Sequence, residues 1–480
     1  MIVESVNGSV RADGAVRGAL ACLSLSVLLS SLGSSIANVG LPTLTQAFGA
    51  SFQQVQWVVL GYLLAITALI VSAGRLGDLI GRRRLLMAGI GVFTLASALS
   101  GLAPTLWLLV AARALQGLGA AAMLALTLAF IGDTVPKERT GSAMGLLGTM
   151  SAVGTALGPS LGGMLIAAFG WRALFLVSVP LGGVAFALAL RYLPADLQGP
   201  TQARAGFDHL GTLLLSLTLA AYALAMTLGR GSFGVLNLAL LLAAIVGTGL
   251  FVLAESRARS PLIRLALFRD PALSASLAMS ALVSTVMMAT LVVGPFYLSR
   301  AFGLDAVVVG LVLSIGPAAA ALAGVPAGRL ADRFGAQGMT FYGLATIAAG
   351  CLALAMLPVA LGVFGYAAPI VVVTVGYSLF QTANNSAVMA GVRPDQRGVI
   401  SGLLNLSRNL GLITGASLMG AVFAYGAAAT NLMAARPEAV SAGMRITFIG
   451  AAAFVFAALA IGRLGQAAQQ SQRENDHGVE

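Results

Sequence analysis

Long apolar runs, separated by short clusters of glycine, proline and charge, set the pattern of this chain. Fourteen such runs fall near residues 18–40, 54–74, 84–103, 105–131, 140–168, 171–193, 209–229, 234–254, 271–299, 306–327, 338–359, 364–390, 398–424 and 443–463. A helix needs about 20 apolar residues to cross the ~30 Å hydrocarbon layer, and each run meets that length. Barrel strands are only ~9–11 residues long and alternate, so run length predicts helices. The first run is longer than the apolar core of a signal peptide, about 7 to 15 residues, and reads as the first span. The pattern predicts an all-α polytopic membrane protein with 14 transmembrane helices.

Composition narrows the class. Of 480 residues 58% are hydrophobic and only 9% charged, against about 25% charged in soluble domains. Such a chain cannot coat a water-facing surface, and it is far too apolar for disorder. The net charge of +11 has a topological source: on alternate loops, twenty basic residues share one face with both chain ends and five lie on the other, while Arg113 and Arg408 fall inside runs. Basic loops stay cytoplasmic. Both termini are therefore expected inside, and no nucleic-acid partner is needed to explain the charge. Cys22 and Cys351 lie in apolar runs, so no disulfide framework is implied. None of the sixteen acidic residues and neither histidine lies deep in a run, and no HExxH or GxxxxGK[ST] string occurs. The expectation is a protein that is not an enzyme, without catalytic residues, metal or cofactor, and not an ATP-driven pump. The stretch Arg257–Asp270 is read as a short amphipathic surface helix, and the tail from Gln466 as disordered.

A repeat runs across the two halves. After the second run the chain reads Gly74-Arg75-Leu76-Gly77-Asp78-Leu79-Ile80-Gly81-Arg82-Arg83-Arg84, and after the tenth it reads Gly328-Arg329-Leu330-Ala331-Asp332-Arg333-Phe334-Gly335, 254 positions later. Each is read as a short cytoplasmic turn, with glycine for close approach and aspartate placed to face another helix's N-terminus. Parallel six-helix repeats are a transporter design, with substrate held near the midplane between the halves. On helix 4 stands Arg113-Ala114-Leu115-Gln116-Gly117-Leu118-Gly119. On helix 5 stands Gly154-Thr155-Ala156-Leu157-Gly158-Pro159-Ser160-Leu161-Gly162-Gly163, and Trp171-Arg172 opens helix 6. With Ile36-Ala37-Asn38-Val39-Gly40-Leu41-Pro42 on helix 1, these strings resemble the major facilitator superfamily, and within it the 14-helix drug:proton antiporter branch.

That resemblance implies a 6+2+6 arrangement: a cytoplasmic tail 1–17, a six-helix bundle 18–193, a linker 194–270 with two inserted helices, a second bundle 271–463 and a tail 464–480. It implies gating roles for Gly74, Asp78, Gly81, Arg82, Asp332 and Arg333, with Asp78 approaching Arg397 and Gly398, and Asp332 approaching Arg139 and Thr140. Gly154, Gly158 and Gly162 recur every fourth residue and form a side-chain-free groove. Pro159 favours a kink, and with Gly163 these complete the antiporter motif. Polar stripes at helical spacing mark a substrate cavity: Ser31, Ser34, Ser35 and Asn38 on helix 1, and Tyr377, Gln381, Asn384 and Asn385 on helix 12. Trp57, Tyr62, Met287 and Met288 are candidates for adaptable apolar contact.

Arg113 and Gln116 join the substrate-binding set. An arginine inside a span needs partners: Ser34, Asn38 or Gln116, an anionic substrate, or backbone carbonyls. Where the family pattern has an acidic partner, this chain has Gly33. The expectation is a secondary transporter of the inner membrane, a proton-coupled efflux antiporter exporting small organic compounds or drugs by alternating access. Its substrate is expected to be neutral or anionic rather than cationic. The alternatives are a dedicated exporter of one metabolite or natural product, or a carrier not coupled to protons. The expected partners are a small-molecule substrate, protons and the lipid bilayer, with the chain a monomer.

Overall fold

The computed structural model describes residues 2–50, 52–135, 139–194, 208–227, 234–258, 261–304, 306–356, 361–393, 396–427 and 436–477. Among these no strand occurs. The helices are α1 (Ile2–Phe48), α2 (Phe52–Ile80), α3 (Arg82–Leu102), α4 (Leu106–Thr134), α5 (Thr140–Phe169), α6 (Ala173–Leu176), α7 (Ser178–Tyr192), α8 (His209–Thr227) and α9 (Val235–Arg257). They continue with α10 (Pro271–Ala301), α11 (Ala306–Phe334), α12 (Ala336–Met356), α13 (Gly362–Ala390), α14 (Arg397–Gly426) and α15 (Pro437–His477). Thirteen spans are long and apolar enough to cross a membrane, α6 and α7 together forming one of them. Helix α5 bends by 41° between Thr140–Gly158 and Leu161–Phe169, and taken as one broken span it makes fourteen. The bend falls at Pro159, which has no N–H to continue the helix ladder.

Local signals place several ends. Asp270 caps α10 by accepting from Ala272 N at 2.9 Å, with Pro271 at the first helical position. Thr105 caps α4 through Leu108 N. The two motifs read as cytoplasmic turns prove to be helical. Helix α2 runs on to Ile80 and α11 to Phe334, and each break is one glycine, Gly81 at φ 108° and Gly335 at φ 87°. Only glycine adopts that backbone without strain, so the chain turns there in a single residue. Two further expectations change: α15 continues to His477, where a disordered tail was expected, and Arg257–Asp270 holds a 3₁₀ turn, Leu265–Arg269, with Leu262 and Ile263 buried.

The chain divides into two compact units: Met1–Leu219 with Arg257–Leu262 and Met389–Asn405, and Ala220–Ser256 with Ile263–Val388 and Leu406–Glu480. In the first, α1 packs on α5 and α7, and both α2 and α3 pack on α4, around Leu32, Ile36, Leu109, Trp171 and Phe175. In the second, α15 packs on α10 and α12, around Val283, Val293, Phe380, Phe423 and Phe448. Each unit contains the same glycine crossing. A Cβ on Gly119 of α4 would meet Gly89 O of α3 at 2.6 Å, and one on Gly376 of α13 would meet Gly343 O of α12 at 2.9 Å. Gly343 follows Gly89 by the 254 positions that separate the two motifs.

Candidate functional site

Arg113 is fully buried in the first unit. Its Nε donates to Val58 O at 3.0 Å, Nη2 to Gly33 O at 2.8 Å and Nη1 to Gln116 Oε1. Gln116 Nε2 donates in turn to Ser97 Oγ at 2.7 Å, and Ser97 Oγ to Phe93 O at 2.7 Å. The guanidinium carbon lies 4.2 Å from the Tyr62 ring centroid and 5.7 Å from that of Phe175, cation–π distances worth most when desolvated. Tyr62 is itself fixed by donating to Ser30 O at 2.7 Å. Of the partners weighed from sequence, Gln116 and backbone carbonyls serve. Ser34 instead donates to Ser31 O at 2.7 Å and Asn38 to Ser34 O at 3.3 Å. Gly33 contributes its carbonyl. A Cβ there would stand 3.1 Å from Tyr62 Oη, so the tyrosine occupies the space a side chain at this position would need.

Asp78, in the last turn of α2, is 4% exposed. Its Oδ1 accepts from Arg82 Nη2 at 2.9 Å and Arg82 Nε at 3.1 Å. Oδ1 also takes Gly398 N at 3.1 Å, and Oδ2 takes Val399 N at 3.2 Å. The carboxylate thus caps the start of α14, where free N–H groups and the helix dipole favour negative charge, as the sequence expects. Gly74 lets the backbones touch: a Cβ on it would lie 2.1 Å from Gly398 O. The same start of α14 is tied to α4 by Ser401 Oγ donating to Ala125 O and Asn405 Nδ2 donating to Leu124 O at 3.4 Å. In the second unit, Asp332 and Arg333 occupy the equivalent last turn of α11 and are exposed, with Arg333 5.3 Å from the Phe334 ring centroid.

The glycine groove of α5 faces α1. Added Cβ atoms would meet Leu28 O at 2.6 Å from Gly154, Ser35 Oγ at 2.0 Å from Gly158 and Ile36 Cγ1 at 3.2 Å from Gly162, whereas Gly163 faces open space. Ser35 Oγ donates to Gly154 O at 3.2 Å, and the Ser31 and Ser151 hydroxyls are 2.9 Å apart. A second seam, unnoticed in the sequence, lies between α10 and α14: Gly411 would meet Ala281 O at 2.2 Å and Gly415 would meet Thr285 O at 2.5 Å. Thr285 Oγ1 donates to Gly411 O at 3.1 Å. The signal was present, since Gly411 and Gly415 repeat the four-residue spacing 257 positions after Gly154 and Gly158.

The polar stripes divide by exposure. Ser31, Ser34 and Trp57 are half-buried and Asn38 is exposed, while Tyr62, Arg113 and Gln116 are sealed. On α13, Tyr377 and Gln381 are half-buried. Gln381 Nε2 donates to Asn385 Oδ1 at 3.4 Å, its Oε1 is buried without a partner, and Asn384 Nδ2 donates to Ser276 O at 3.4 Å. Among the described residues no group of His, Cys, Asp or Glu is placed to hold a metal ion.

Comparison with known proteins assigns the architecture. The sequence model of the Major Facilitator Superfamily matches residues 23–416. The multidrug resistance protein Stp of Mycobacterium tuberculosis is 32% identical over 417 residues, covering 85% of this chain and 75% of Stp. The riboflavin transporter RibZ of Clostridioides difficile is 28% identical over 405 residues, covering 84% of this chain and 88% of RibZ. The crystal structure of the human organic anion transporter MFSD10 superimposes with a TM-score of 0.64 at 16% identity, over 93% of this chain and 99% of the other.

Proposed function

The chain belongs to the major facilitator superfamily, and on that premise we propose that it is a proton-coupled exporter of small neutral or anionic organic compounds. It is a transporter and not an enzyme. Export is supported by kinship with efflux pumps such as Stp, and an inner-membrane location by the bacterial relatives. The observation that carries the substrate class is the charge of the spans: their interior ionic side chains are Arg113 and Arg408, and no acidic residue lies deep in any of them. A lipophilic cation brought there would meet positive charge with no carboxylate to offset its lost hydration. Neutral and anionic solutes escape that penalty.

Alternating access needs a contact that holds and then releases. The Asp78 cap on α14 suits this role: it is a charge-assisted contact at a helix end, worth about 0.3–1 kcal/mol on the surface and up to ~2 kcal/mol when partly buried. The glycine seams provide surfaces on which helices slide without side-chain interlock.

Purified protein in liposomes, with and without an imposed pH gradient, tests the reading. Uptake of weak organic acids or neutral drugs into inverted liposomes should accelerate when the interior is acidic. Gradient-independent flux would remove the proton from the mechanism. Strong protection of an efflux-deficient bacterium against ethidium-like cations, with none against weak acids, would overturn the substrate class. RibZ, a riboflavin transporter, favours a second reading, export of one dedicated metabolite, which the same flux assay separates by the breadth of compounds moved.

A further inference from the structure

The two guanidinium groups inside the spans have opposite surroundings. Arg113 spends its donors on Val58, Gly33 and Gln116. Arg408, in the second unit, has a buried Nε with no hydrogen-bond partner, and no ion pair serves it among the described residues. It lies eleven residues beyond Arg397, the start of α14, about 16 Å along the helix at ~1.5 Å per residue. That depth lies inside the apolar span Arg397–Gly426.

The internal repeat shows which groups stand near it. Gly411 and Gly415 approach α10 as Gly154 and Gly158 approach α1, with Ala281 O and Ser284 Cβ against Gly411 where Leu28 O and Ser31 Cβ stand against Gly154. In that register Arg408 takes the place of Ser151, whose hydroxyl pairs with Ser31. The counterpart of Ser31 is Ser284, which stands against Gly411 as Ser31 stands against Gly154. On the same stretch of α10, Ser280 and Ser284 are fully buried and their hydroxyls have no partner. Packing there is intimate, with Ser284 Cβ only 2.8 Å from where a Cβ on Gly411 would sit, so these polar groups line the seam beside Arg408.

We propose that Arg408 is the anion anchor of the second half, holding a substrate carboxylate side-on through Nε and the adjacent Nη, with the Ser280 and Ser284 hydroxyls as further donors. The side-on pair of N–H groups matches the spacing of two carboxylate oxygens, and Nε is the donor the protein leaves unused. Arg408 as a whole is half-buried rather than sealed, so a side-chain rotation brings that edge to a ligand. The inference deepens the exporter reading and rests on it for the direction of transport, not for binding.

Binding to the purified full chain in detergent tests it, with naphthalene-1-acetate and salicylate as probes and their neutral amides as controls. Wild-type protein should bind the carboxylates about tenfold or more tightly than the amides. Arg408→Gln should erase that preference, and Arg408→Lys, which keeps the charge but loses the planar fork, should retain only part of it. Unliganded melting temperature and a monodisperse elution profile establish that each variant is folded. Equal carboxylate binding by wild type and Arg408→Gln would overturn the proposal, as would a wild type that binds neither carboxylate. A protein that shows the preference yet exports nothing from cells would overturn the exporter reading and leave the anchor standing.

Discussion

A guanidinium sealed in an apolar interior persists only if its donors meet acceptors, since an uncompensated buried charge is strongly destabilising. Arg113 meets this condition with two backbone carbonyls, one amide oxygen and an aromatic face. Gln116 is the weak point, because it both accepts from Arg113 and donates to Ser97. Gln116→Leu should lower stability by about 1.5–3 kcal/mol, the range for a hydrogen bond to a charged group. Ser97→Ala should cost less, about 0.5–1.5 kcal/mol, the range for a neutral hydrogen bond. Thermal unfolding in detergent should show the larger fall in melting temperature for Gln116→Leu; equal falls would mean that the charge is not what the glutamine serves. The sequence exposes Arg113 and Gln116 because a polar residue in an apolar run is conspicuous. It hides Gly33 and Val58, whose contribution is a carbonyl that every residue possesses and that only tertiary packing aims.

Helix α5 shows how an element can be specified by what it lacks. Its glycines at Gly154, Gly158 and Gly162 bring it against α1, and its bend falls at Pro159. A leucine at Gly158 would force its Cβ to within 2.0 Å of Ser35 Oγ and 2.9 Å of Ile36 N. The latter is backbone and cannot rotate away, so α1 and α5 must separate at an overpacking cost of about 1–3 kcal/mol or more. Gly158→Leu should therefore abolish transport while the protein still reaches the membrane. Gly163→Ala, facing open space, should transport at wild-type rates. Membrane-fraction immunoblots beside flux measurements check both, and normal transport by Gly158→Leu would remove the seam from the mechanism. Spacing made this groove legible, just as apolar run length made the spans legible. The ends were less so: the pattern stops α2 near Gly74, but the helix continues through Asp78 to Ile80. Polar residues mark where a helix leaves the bilayer, whereas backbone conformation decides where it ends.

For the molecule as a whole, the two units reuse one plan. Asp78 and Asp332, Gly81 and Gly335, and Gly89 and Gly343 all stand 254 positions apart, and each unit places its pair of glycines in the same helix crossing. A parallel repeat of this kind fixes the orientation of one half relative to the membrane once the other is known, because six spans return the chain to the side on which it began. The two inserted spans expected from sequence would preserve that parity. The sequence reading of twenty basic residues on one face against five on the other predicts the side, and it draws on every loop of that face rather than on one. Orientation should accordingly resist local change. A fluorescent-protein fusion at the C-terminus should glow in bacterial cells, as it does only in the cytoplasm, and alkaline phosphatase fused after Arg300 should be active, as it is only in the periplasm. Replacing Arg82, Arg83 and Arg84 together by glutamine removes three of the twenty charges and should leave both reporters unchanged, even if it weakens the Asp78 contact. Inversion of the reporters by that triple change would show that one loop sets the topology, and the argument from distributed charge would fail with it.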